Sequence, residues 1–150
     1  MSQKEEYAIT IVSIVLARYD RIVGLMDDAM RLREVVQARG SFLKGEAPAL
    51  GATLGEARAA IASFRNGYLS KEDLSDFLEI EKARKELRAP RVPRSEYGNQ
   101  IAHNEYLSWA IGEEMALWAQ LDSLKTIMFK RKWFELKGKT KTDLPTPWSR

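Results

Sequence analysis

The stretch from Gln100 to Lys137 constrains the fold more than any other. Leu107, Ala110, Leu117, Leu121, Leu124 and Met128 recur at alternating steps of three and four residues, with Glu114 in the one gap. That spacing puts them on one face of a helix turning every 3.6 residues. A second apolar strip of Ile111, Met115, Trp118 and Phe129 follows about a quarter turn away at about 100° per residue. Only Ser108, Gly112, Ala119, Thr126 and Lys130 read as a solvent stripe. No proline interrupts the run, and Gly138 offers a C-terminal stop. A helix this apolar around its circumference needs more than one neighbour.

The N-terminal part repeats the pattern. Ala8, Val12, Val15, Tyr19, Ile22, Met26, Ala29 and Val36 again alternate threes and fours, and Gly40 closes the run. Between the two long segments, Ser41 to Ala52 carries Gly45, Gly51 and Pro48 and reads as loop, with Phe42 and Leu43 folding back onto the core. Thr53 followed by Glu56 has the form of a capping box, opening a short helix with Leu54, Ala57, Ile61 and Phe64 inward and Asn66 and Gly67 at its end. Ser70 and Asp73 open another in the same way, with Leu74, Phe77, Leu78 and Leu87 inward and Pro90 as its stop. From Arg88 to Arg94 arginines alternate with prolines, the composition of a stiff connector.

The expected fold is therefore all-α, a helical bundle built on two long helices (about 4–39 and 100–137) with two shorter helices (about 54–66 and 71–88) between them. Residues 1–137 form a single helical-bundle domain, and 138–150 an extended basic, proline-containing C-terminal tail. The short pair either makes one broken rod beside the long pair or folds as a hairpin over half of it. In the second case, half of each long helix needs a cover from another molecule.

Composition narrows the chemistry. The chain has 150 residues and no cysteine, so disulfides, thiolate nucleophiles and cysteine-ligated metal centres are excluded. A ferritin-like carboxylate site needs a histidine from each of two helices, and His103 is alone. His103 and Glu114 share a face but are eleven residues, about 16 Å, apart, too far to share a ligand. His103 reads as an interfacial or end-of-core residue. No glycine-rich phosphate loop is present, so no catalytic residue, cofactor or metal ligand is expected. Ala8 to Ala17 is too short to span a bilayer and follows Glu5 and Glu6 where a signal peptide would be basic, so the expectation is a cytoplasmic protein without a transmembrane segment.

Three features remain as candidate sites. Glu114 breaks the leucine strip, and a buried carboxylate there calls for an arginine from another helix, with Arg18 or Arg21 as candidates. Glu113 beside it reads as the point where the helix edge meets solvent. The apolar side chains Ile111, Met115, Trp118, Phe129, Trp133 and Trp148 form the expected partner-binding set. From Lys125 to Arg150 eight basic residues stand against two acidic ones. Lys130, Arg131, Lys132, Lys137, Lys139 and Lys141 would be the contacts if the partner were nucleic acid. The role these features point to is a non-enzymatic interaction or assembly protein: a scaffold, adaptor or inhibitor that binds another protein or itself, with a homodimer favoured. A nucleic-acid-binding bundle is the alternative.

Overall fold

A computed structural model describes residues 3–69, 90, 92–93 and 100–130, with side-chain detail over 13–69, 90, 92–93 and 100–129. These residues are all-helical, in three helices: α1 (Gln3–Arg39), α2 (Glu46–Tyr68) and α3 (Gln100–Lys130). The predicted helix at 71–88, the Arg88, Arg91 and Arg94 connector and everything beyond Lys130 lie outside the described residues.

α1 and α2 form an antiparallel hairpin. Gly40 takes a left-handed φ of 89°, and its N–H donates to the Val36 carbonyl at 2.8 Å, ending α1 where the sequence placed its stop. Gly45, at φ 85°, caps α2. The turn between them is stapled by Glu46, whose carboxylate accepts from both terminal nitrogens of Arg39, at 2.6 and 3.0 Å, and from the Leu43 N–H at 2.6 Å. At the far end of the hairpin the Arg18 guanidinium lies over the Tyr68 ring, 5.9 Å from its centroid.

α2 corrects the sequence reading. It begins at Glu46, so most of the expected loop is helix, and Thr53 is no cap: its hydroxyl donates to the Ala49 carbonyl one turn back. Pro48 and Gly51 are punctuation elsewhere, yet each is compatible here for a specific reason. Pro48 stands in the first turn, where its missing N–H has no helical acceptor to lose. Gly51 is where α3 touches the α2 backbone. The Tyr106 hydroxyl donates to the Ala47 carbonyl at 3.0 Å, and a Cβ on Gly51 would collide with that hydroxyl. The inward face is accordingly two turns longer than expected: Ala47, Leu50, Leu54, Ala57, Ile61 and Phe64.

α3 runs parallel to α2 and antiparallel to α1. Its first turn closes the turn end of the hairpin: the Gln100 side-chain amide donates to the Gly40 carbonyl at 2.9 Å, and the His103 ring stacks on Phe42. His103 is buried, and its Nδ1 accepts the Phe42 N–H at 3.4 Å, which makes it the end-of-core residue its isolation implied. Phe42 is buried, whereas Leu43, expected to accompany it, is exposed because its backbone is committed to the α2 cap.

Halfway along, adjacent glutamates on α3 grip the other two helices. Glu114 accepts two parallel bonds from Arg33 of α1, at 2.9 and 2.8 Å, and Glu113 accepts from Arg58 Nε of α2 at 2.8 Å. The partner of Glu114 is an arginine of another helix, as expected, but Arg33 replaces Arg18 and Arg21, because antiparallel packing brings the C-terminal half of α1 alongside. Glu113 is no solvent edge: it is 1% exposed. The Glu114 contact raises the Arg33 pKa against the lowering effect of burial.

Two outcomes test this packing. Glu114→Ala leaves Arg33 without its buried partner and is expected to cost about 3 kcal/mol in urea unfolding; an unchanged midpoint would contradict the pairing. Gly51→Ala should gain up to about 1 kcal/mol from helix propensity but lose more to the Tyr106 collision. Adding Tyr106→Phe should recover part of that loss, so a double-mutant cycle with no coupling would remove the contact.

Candidate interaction face

Among the described residues, α3 is packed on one side and exposed or half-buried on the other. Taking about 100° per residue, the buried positions from His103 through Ala110, Glu113, Glu114, Leu117, Leu121, Leu124 and Met128 occupy somewhat under half of its circumference. The remaining arc holds exposed Ile101 (64%), Met115 (68%) and Phe129 (40%). Such side chains are ordinarily scattered singly over a surface. Here they fall at fourteen-residue intervals along one helix.

The expected contact strip is thereby split. Met115 and Phe129 point outward and Ile111 is half-buried, but Trp118 is 5% exposed and belongs to the core. It sits one step nearer the Glu114 face than Met115 does, and a helix packed against two others buries a wider arc than a single leucine strip reveals. Trp133 and Trp148 lie outside the described residues, as do Arg131, Lys132, Lys137, Lys139 and Lys141 and the side chain of Lys130. Ile101 was missed by a reading that began its strips at Leu107; its signal is its fourteen-residue distance from Met115.

Near its start the open arc holds a shallow groove lined by Pro90, Ile101, Asn104, Glu105, Ser108 and Trp109. Trp109 tilts against Tyr106, with ring centroids 5.3 Å apart, so the floor of the groove is tied to the residue that meets α2. The indole N–H of Trp109 is buried and has no hydrogen-bond partner among the described residues. Between α1 and α2 a smaller cleft is lined by Arg18, Arg21, Ile22, Ala60, Ser63 and Phe64.

Among the described residues no group of three His, Cys, Asp or Glu side chains is placed to hold a metal, and no helix is long and apolar enough to cross a membrane. Compared with protein-family models, with curated proteins and with solved structures, the chain matches none.

Tyr19 of α1 is fully buried, and its hydroxyl has no hydrogen-bond partner among the described residues. Burial, reinforced by the charges of Asp122 and Asp20, pushes its pKa well above the usual phenol range, and burial also raises that of Tyr106. Both folded-state values lie above the unfolded value of about 10, so the unfolded chain loses its protons first and stability is full below pH 10 and falls above it. Tyr19→Phe is expected to stabilise the fold by about 1 kcal/mol near neutrality, since it removes an unsatisfied buried group, and to flatten the loss of melting temperature between pH 10 and 12. A Phe variant that melts lower at pH 7 would show that the hydroxyl has a partner.

Proposed function

We propose that this chain is a non-enzymatic interaction or assembly protein, and that its contact surface is the outward face of α3. One observation carries the reading: a helix held on its inner side by part-buried ion pairs carries Met115, 68% exposed, midway along its outer side. Exposed aliphatic and aromatic side chains aligned on a rigid element suit helix-to-helix docking. The partner is another protein or a second copy of the chain. Localisation in the cytoplasm is part of the same proposal.

Further support comes from the state of the buried charges. Glu113 and Glu114 are the buried carboxylates of the described core, and each is engaged by an arginine, an arrangement that serves packing and leaves neither poised as a general base. The alternative, nucleic-acid binding through Lys130, Arg131, Lys132, Lys137, Lys139 and Lys141, draws its support from the charge of the C-terminal sequence.

Met115→Lys puts a charge at the centre of the face without touching the core. It should weaken both self-association, read by sedimentation over a concentration series, and capture of protein from the native host, by at least about tenfold. A wild-type chain that stays monomeric and captures no protein would overturn the proposal, and capture abolished by nuclease would favour the alternative.

A further inference from the structure

We infer that Met115 is a modification site, the methionine of the described residues that a hydroperoxide oxidises to the sulfoxide, and that this oxidation loosens the contact made by the outer side of α3. The second half rests on the reading of that side as the contact surface.

The chemistry depends on access. A thioether sulfur attacks one oxygen of hydrogen peroxide along the O–O axis; an S–O bond forms as the O–O bond breaks. The departing hydroxide takes the proton of the transferred hydroxyl and leaves as water. Sulfur is oxidised by two electrons and the peroxide is reduced by two, so the products are a sulfoxide and water. A sulfur enclosed in a packed core offers the peroxide no such approach. The chain has no cysteine, so no thiol competes for the oxidant.

The structure separates the methionines sharply. Met26 and Met128 are 0% exposed and belong to the core, Met30 is half-buried, and Met115 is 68% exposed. The cause lies in the residues just before it. Glu113 is held by Arg58 of α2 and Glu114 by Arg33 of α1, about 100° further round the helix. The same angle again carries Met115 past Glu114 and out of the arc that α1 and α2 cover. One turn before and after it stand Gly112 and Ala119, which have no side chain long enough to lie across the sulfur. Trp118, which could have done so, is turned into the core.

Oxidation there changes the surface and spares the fold. The new S=O oxygen accepts hydrogen bonds from water while Met115 is exposed. Covered by an apolar partner it loses that water, and the desolvation penalty weakens the contact. Sulfoxide formation is reversible by methionine sulfoxide reductases, so the contact is restored when the oxygen is removed.

Dilute full-length protein treated with hydrogen peroxide and mapped by mass spectrometry tests the site. Met115 should gain its oxygen at least about tenfold faster than Met26 and Met128, and in urea the rates should converge. Equal rates in the folded chain, or a difference that persists in urea, would overturn the assignment. Chain oxidised at Met115 alone should keep its melting temperature; a lowered one would show that the sulfur supports the core. Its self-association or capture of protein should be about tenfold weaker and recover on treatment with methionine sulfoxide reductases. Unweakened binding, or a loss that the reductases do not reverse, would overturn the switch. A reduced chain that neither self-associates nor captures protein would overturn the contact and the switch with it, while selective oxidation would still establish the site.

Discussion

Everything α3 does depends on two neighbouring carboxylates that cannot both be left alone. A buried, unpaired charge costs far more than an exposed ion pair returns, so Glu113 and Glu114 act as a register mark more than as a source of stability. Consecutive helical residues point about 100° apart, and this pair uses that angle to reach two helices at once, α1 through Arg33 and α2 through Arg58. A slip of α3 by one turn against either neighbour would keep its leucines in apolar surroundings, because the strip repeats every three or four residues. The same slip would strand a carboxylate. The leucine strip makes α3 bind, and the glutamates make it bind in one place.

The register has consequences at both ends of the helix. With Glu114 held at Arg33, His103 and Tyr106 arrive over Phe42 and Ala47, and the turn of the hairpin is sealed by ring contacts at 5.9 and 5.5 Å. Gly51 then follows from the Tyr106 position, since no larger residue leaves room for that hydroxyl against the α2 backbone. A residue that looks like a helix breaker in isolation is thus selected by a contact 55 positions further along the chain.

That contact explains which parts of the fold were legible in the sequence. The inward positions of α1 and α3 could be read from periodicity, and so could Gly40 as a stop and Glu114 as a carboxylate needing an arginine, because each reports a local rule kept or visibly broken. The start of α2 could not, because Pro48 and Gly51 are justified by first-turn geometry and by Tyr106, neither of which is local information. Trp118 was misplaced for a related reason: a strip shows which side of a helix is buried, but the width of the buried arc is set by how many helices pack there. The candidate face was half legible. Met115 and Phe129 fell on the expected apolar strip, while Ile101 emerged only once the buried arc was subtracted.

The inner side of α3 keeps a looser period than a seam between two single helices would. Inner positions need only fall within a broad arc, so steps of three and four in any order serve, and the arc is wide enough to admit Trp118. A seam contacted by a single helix is narrow and tolerates no such spread; it must keep the seven-residue repeat or drift away from its neighbour. The ion pairs to Arg33 and Arg58 therefore fix the register that steps of three and four leave open.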